Sequence, residues 1–300
     1  MINELEYITE GGGVKSALAA DKNMMKRNAW HLKSIDGNGL PPVSALGSAS
    51  FGVAGKSYAG LSVGGREIEA ELYADAFSAA GLQQMTRDAA RVVSPDNGAL
   101  GVLRLRNAAG EWFRIAAKCV DFAEVERKRR SSLFSAVFDC PYSYFESDTL
   151  NVKQLFAMEG GKEYIAGEGL QRPYTFGDAS GGAGVQTVDV FNAGDVAAPC
   201  VLRLFGTGLQ RVELSNVTTG ASVIVEGMSA SGLIVSTDEN NLSARFDDGT
   251  DASAYVSLFS DLSDFRLAPG RNVIRVDMDS TAATVAGTQI EWRGRYSLCL

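Results

Sequence analysis

The segment Gly52-Val53-Ala54-Gly55-Lys56-Ser57 ends like a phosphate-binding loop. Such a loop wraps phosphates in successive backbone N–H groups and needs a glycine five residues before the Gly-Lys-Ser glycine. Ser50 stands there, and the segment neither follows a clear strand nor opens a helix, so nucleotide binding is not expected. Asp247-Asp248-Gly249-Thr250-Asp251 is rich in oxygen donors, but it lacks the alternating ligands and distal bidentate glutamate of a calcium loop. A hairpin turn accounts for it. The single histidine, His31, excludes the commonest multi-histidine zinc sites and would have to serve any histidine-containing triad. Cys119, Cys140, Cys200 and Cys299 lie far apart with no Cys-x-x-Cys pair, which points to four buried thiols rather than a zinc ribbon or disulfide framework. Carboxylates are abundant, yet no spacing selects a catalytic pair, although a glycosidase's two acids can be distant in sequence. The expectation is a protein without enzymatic activity, metal or cofactor.

Charged and aromatic clusters are better candidates for binding. Glu124 and Glu126 precede Arg127-Lys128-Arg129-Arg130. Four adjacent cations in a strand pair project to both faces and cannot all meet one partner. The plain reading is a solvated hairpin; the sharper one is ion pairing with a neighbouring subunit's Glu67, Glu69 and Glu71. Exposed pairs contribute only about 0–1 kcal/mol each, so they would set register more than affinity. Sequence-specific nucleic-acid binding is not expected, because the run lacks interleaved aromatics and its domain is not basic. Tyr255, Phe259 and Trp292 could stack on sugar rings in a lectin-like groove, although aromatics at alternating strand positions are more often core.

The elements that must position these residues suggest two domains, 1–145 and 146–300. A chain of 300 residues exceeds the usual single-domain size, and its 45% hydrophobic content supplies two cores. Of the net charge of −8, residues 1–145 carry +1 and residues 146–300 carry −9. No apolar run approaches the roughly 18 residues of a membrane span, and the acidic start Met1-Ile2-Asn3-Glu4 is unlike a signal peptide, so cytoplasmic synthesis without secretion is expected.

Residues 14–33, with Val14, Leu18, Met25 and Trp30, read as an amphipathic helix. Residues 37–65 hold eight glycines, Pro41-Pro42 and two isolated aromatics, Phe51 and Tyr58. So long an irregular segment inside a domain is unusual unless it is functional. It reads either as a loose surface loop or as an arm or long hairpin lying on a neighbouring subunit. In Glu67–Tyr73, Ile68, Ala70 and Leu72 alternate with the three glutamates, which places them on opposite faces of a strand. Residues 75–93 form the clearest helix, with Leu82, Met85, Ala89 and Val92 at three- and four-residue steps. Strands are expected over 101–106, 111–118 and 131–138, making the first domain a β-rich sheet or barrel with one main helix. A strand-poor stretch to about Gly184 precedes strand-like runs every 8 to 12 residues or so: 187–191, 200–205, 212–214, 222–225, 233–235, 242–246, 255–259, 272–278 and 288–292. That spacing argues for an antiparallel β-sandwich.

The order of these features resembles the distal tail proteins of siphophages over the whole chain, apart from 146–184. In the first domain the resemblance rests on Ile35-Asp36-Gly37, the strand Arg66-Glu67-Ile68-Glu69-Ala70, helix 75–93, and a long hairpin ending in Val137-Phe138-Asp139-Cys140-Pro141-Tyr142. In the second it rests on Asn192-Ala193-Gly194 with Pro199, Asn216-Val217-Thr218-Thr219-Gly220, Leu233-Ile234-Val235-Ser236-Thr237, Asp248-Gly249 and Leu267-Ala268-Pro269-Gly270-Arg271-Asn272. Ser236 stands where such proteins often carry aspartate. The resemblance implies a mainly β protein, with a tail-tube-like split β-barrel followed by a galectin-like antiparallel sandwich. It also implies a structural role in the virion, at the tail tip. Six copies would form a ring joining the tail tube protein to the hub and tail-associated proteins, with receptor-binding proteins or fibres as further partners. In such proteins the first domain carries a belt around the next subunit, and residues 37–65 are the candidate here. A carbohydrate-binding module for host cell-wall glycans is the alternative reading.

Overall fold

The structure is a computed structural model describing residues 2–11, 14–48, 57–94, 96, 98–158, 184–206, 209–228, 232–260, 262–280 and 286–299. It divides into two compact units, Met1–Asp148 with Tyr296–Leu300, and Thr149–Arg295.

The first unit contains β1 (Ile2–Gly11), β2 (Val14–Asp21), β3 (Ala29–Asp36), β4 (Val43–Ser48), β5 (Ser57–Val63), β6 (Arg66–Asp75), α1 (Ala79–Val93), β7 (Gly101–Asn107), β8 (Trp112–Arg127), β9 (Ser131–Cys140) and β10 (Phe145–Ser147). Seven strands follow the order β8-β7-β1-β2-β3-β6-β9, and pairing of β9 with β8 closes them into a barrel. The barrel is split: β2 and β3 pair only at Ala20–Trp30 and Asp21–His31, and β8 pairs with β7 through its first half and with β9 through its second. The alternation expected for 67–73 holds across β6: Ile68, Ala70, Leu72 and Ala74 are buried, whereas Glu67 and Glu69 are exposed. Tyr7 and Phe138 fill the interior with ring centroids 5.0 Å apart.

Two expectations change here. Residues 14–33 form strands β2 and β3 rather than a helix. The run Ser16-Ala17-Leu18-Ala19-Ala20 has the composition of a helix, but pairing with β1 imposes a period of two, with Leu18 and Ala20 buried and Ala17 and Ala19 exposed. The helix expected from residue 75 starts at Ala79 because Asp75 still pairs with Ser131 in the barrel. Ser78 then caps it, its Oγ accepting from the Gly81 N–H at 3.0 Å.

The second unit contains β11 (Asn151–Met158), β12 (Gly184–Asn192), β13 (Cys200–Phe205), β14 (Leu209–Asn216), β15 (Ala221–Met228), β16 (Gly232–Ser236), β17 (Ser243–Phe246), β18 (Gly270–Ser280) and β19 (Ala286–Trp292). They form two sheets, β11-β19-β13-β16-β17 and β12-β18-β14-β15, with every named pairing antiparallel. Leu202, Leu204, Val212, Leu214, Val223, Val235, Ile274, Val276 and Ile290 are among its buried core. The strand-poor reading fails at 151–158, which pair with β19; residues 159–183 lie outside the described residues. The strand expected at 255–259 is instead the end of a 3-10 turn, Ser253–Tyr255, followed by a tight Ser257–Ser260 turn.

Three buried asparagines explain three of the second-domain motifs that carried the family resemblance. Asn192 Nδ2 donates to Val196 O and Leu267 O, at 3.0 and 2.9 Å. Asn216 Nδ2 donates to Arg266 O at 2.9 Å and to Asn272 Oδ1 at 3.2 Å. Asn272 also accepts from the Ala268 N–H at 2.9 Å and donates to Ala268 O at 2.7 Å. These side chains satisfy turn backbones that would otherwise be buried unpaired. The motifs therefore mark turns of the sandwich.

Candidate assembly surface

Among the described residues, strands β4 and β5 pair only with each other and form a two-stranded hairpin. The register sets Val43 opposite Val63 and Ala45 opposite Leu61, while Ser44 faces Ser62. A bulge between Leu46 and Gly47 shifts the register, so that Leu46 faces Gly60 and Gly47 faces Tyr58. Because side chains alternate across a strand, Val43, Ala45, Leu61 and Val63 share one face, and Ser44, Ser62 and the exposed Leu46 the other. The apolar face is bare: Val43 is 52% exposed, Leu61 59% and Tyr58 70%. A lone hairpin is marginal in water. One with an uncovered apolar face gains stability by laying that face on another surface. Gly64 N–H donates to Pro42 O at 2.9 Å and closes the hairpin at its root.

Within the 37–65 segment, the described residues Val43–Ser48 and Ser57–Val63 pair as a hairpin. Phe51 lies outside the described residues. The serine–apolar alternation of Val43-Ser44-Ala45 and Leu61-Ser62-Val63 was the signal for the two strands, masked by the glycines and prolines around it.

The glutamates of β6 stand beside the same hairpin root. Glu67 and Glu69 are exposed and point outward. Glu71 accepts from Ser34 Oγ at 2.8 Å and lies 3.1 Å from Lys33 Nζ. Those two contacts, Ser34 first, hold its carboxyl below the usual range. The basic run sits at the tip of the β8–β9 hairpin, where Lys128 N–H donates to Ser131 O. Arg127 lies 3.5 Å from Glu124 and Lys128 3.1 Å from Glu126, so two of the four cations have carboxylate partners within the hairpin. Arg129 and Arg130 are exposed, as are Val120 and Val125 along β8. Val120 and Val125 were not singled out from sequence, because an exposed Val-x-x-x-x-Val strand reads like any half-buried one.

A groove of about 610 Å³ runs between α1 and strands β1 and β2, with Leu18, Trp30 and Met85 among its walls. Each of its carboxylates has a cation: Glu4 with Arg106 at 2.7 Å, Glu6 with Arg104, Asp21 with Lys26, and Asp88 with Arg91 at 3.2 Å. Carboxylates held in this way as acceptors are poorly placed to exchange protons with a substrate. All four cysteines are free and buried, and burial pushes the thiols of Cys140, Cys200 and Cys299 up to about 12 and that of Cys119 to about 11. Such thiols are protonated and unreactive at neutral pH. Among the described residues no cluster of three or more His, Cys, Asp or Glu is arranged to hold a metal ion.

The three aromatics considered for sugar stacking are not brought together. Trp292 is 7% exposed and belongs to the sandwich core. Tyr255 packs edge-on against Phe246, with centroids 5.3 Å apart. Phe259 alone stands out, 89% exposed at the tip of the Ser257–Ser260 turn.

Residues 193–296 match the family model described as siphovirus-type tail component, C-terminal domain. No curated protein matches the chain. Among solved structures, that of SPP1 Dit, described as a paradigm of the hub adsorption apparatus of phages infecting Gram-positive hosts, is similar over 96% of this chain and 98% of its own, with TM-score 0.61 and 10% identity. A chain of the phage p2 baseplate in its activated conformation with calcium is similar over 97% of this chain and 98% of its own, with TM-score 0.51 and 12% identity. The same baseplate with strontium gives the same values. These likenesses bear out the resemblance to distal tail proteins and the mainly β fold of barrel and sandwich.

Proposed function

We propose that this chain, whose residues 193–296 carry the siphovirus-type tail-component domain and whose whole length shares the fold of SPP1 Dit, is a structural component of a phage tail tip. In this reading it acts in the virion, where copies close into a ring, hexameric by resemblance, between the tail tube protein and the hub. No catalytic step is assigned to it.

The observation that carries the reading is the β4–β5 hairpin with its bare apolar face. A ring needs a heterologous interface, in which one face of a subunit meets an unlike face of the next. The hairpin supplies the first face. The second is the exposed outer side of the barrel, with Glu67 and Glu69 on β6 or Val120, Val125 and Arg127–Arg130 on the β8–β9 hairpin. Apolar burial supplies the affinity, and rim charges fix the register. A stable contact of this kind buries about 1,200–2,000 Å².

Light scattering after size exclusion and negative-stain imaging test the reading. The native chain should form closed rings. Combining Val43→Ser with Leu61→Ser should leave protomers with unchanged circular dichroism. Rings that form equally well in that variant would remove the hairpin from the interface, and a native chain that stays monomeric at high concentration would remove the function.

A further inference from the structure

Arg66, the first residue of β6, is 4% exposed, and its guanidinium makes five hydrogen bonds, all to main-chain carbonyls. Nε and Nη2 both donate to Ser143 O, the former at 2.9 Å. Nη1 donates to Gly39 O at 2.9 Å and to Gly37 O at 3.4 Å. Nη2 also donates to Ser297 O at 3.0 Å, and the group lies over the Phe145 ring, 4.3 Å from its centroid. One side chain thus gathers three stretches: the root of the hairpin arm, the segment after β9, and the last residues of the chain. A second tie runs beside it, where Asn38 Nδ2 donates to Cys299 O at 2.7 Å and Cys299 N–H donates to Asn38 O at 2.9 Å.

The arm's stems are pressed against the barrel at the same place. At Gly37, with φ of 84°, a Cβ would sit 2.0 Å from Glu67 O; at Gly65 it would sit 2.7 Å from Cys140 O. Only glycine permits these approaches. The stems are fixed by backbone contact, and past Gly37 the first stem is held by side-chain bonds from Arg66 and Asn38 together with the main-chain bond from Cys299 to Asn38.

We infer that Arg66 is the positioning residue of the arm, a mount that fixes the angle at which the β4–β5 hairpin leaves the barrel, with the chain's last residues as part of that mount. The inference rests on the assembly reading above for its purpose, though not for its geometry. A planar, forked guanidinium suits the task because it can serve four carbonyls at once while stacking on an aromatic ring. The ammonium of lysine offers three donors at a point and cannot do both. A neighbour can be met in only one register if the hairpin leaves at a fixed angle, and holding it there lowers the entropy lost on docking.

Spin-label distances test this on the full chain. The four native thiols are buried, so labels placed through Ser62→Cys on β5 and Arg87→Cys on the exposed face of α1 report the arm against the barrel. Measurements use labelled chain diluted with unlabelled chain. The parent should give a narrow distribution; Arg66→Lys should at least double its width and weaken ring association at least tenfold. Asn38→Ala, which removes one side-chain bond, should broaden it less and decides the matter if the lysine variant does not fold. An unchanged width in the folded variants overturns the inference. If the parent forms no ring but the widths behave as stated, the mount stands and the assembly reading fails.

Discussion

The two units solve the same problem, terminating β-structure, by different means. In the first, β9 returns to β8 and the barrel closes on itself, so backbone pairing completes the structure and the interior needs only to be filled. In the second, two open sheets end in turns whose buried backbone groups are satisfied by side chains, chiefly Asn192, Asn216 and Asn272. Both units bury an apolar core, and the sandwich adds side-chain contacts to its buried turn backbones. In the assembly proposed above, the outer side of the barrel supplies one contact face and the hairpin arm appended to it the other.

Variants in the two units should separate these modes of stabilisation. Phe138→Ala empties the centre of the barrel, where the ring is fully buried beside Tyr7. It should cost about 3–5 kcal/mol, read by denaturant unfolding, with amide exchange accelerated in β6 and β9 and little altered in β13 and β14. A loss below 1 kcal/mol would mean that the barrel is not held by packing. Asn272→Ala leaves carbonyls of the 268–270 turn without their donor, and should cost about 2–3 kcal/mol with the exchange effect confined to the sandwich. If Asn272→Ala is silent, the asparagine network is not what closes the sandwich. Ser78→Ala removes the α1 cap and should cost about 1 kcal/mol, with fraying confined to the first turn of the helix.

Alkaline pH probes both cores together. Cys140 and Cys200 titrate near 12 in the folded chain, against an ordinary 9.0. Between those values the unfolded chain has lost the proton and the folded chain keeps it, so stability is fully present below pH 9 and falls as pH rises toward 12. Replacing Cys200 with alanine should flatten its share of that decline in the sandwich. A slope unchanged by the substitution would show that the thiol is not the titrating group.

Much of the fold was legible because strands announce themselves by alternation. The β6 pattern, the β8–β9 hairpin and most strands of the sandwich stand in the structure close to where the periodicity put them. Two of the failures share a cause. Residues 14–21 are alanine-rich and helix-like in composition, and only pairing with β1 makes them a strand. The segment 151–158 becomes a strand through β19, about 140 residues further on. As for the candidate surface, Tyr58, Glu67, Glu69 and the 127–130 tip were visible as exposed or charged residues. Of the aromatics considered for sugar stacking, Phe259 is exposed and Trp292 lies in the sandwich core.

By itself the sequence determined which residues could alternate and where turns must fall. Those properties are local, written in the types of residues within a few positions of each other. The tertiary structure alone decided that the barrel closes, that β4 and β5 leave an apolar face uncovered, and that Arg66 holds Gly37, Gly39, Ser143 and Ser297 together. A lone arginine opening a strand carries no mark of such a role, because its partners are carbonyl oxygens, which every residue possesses.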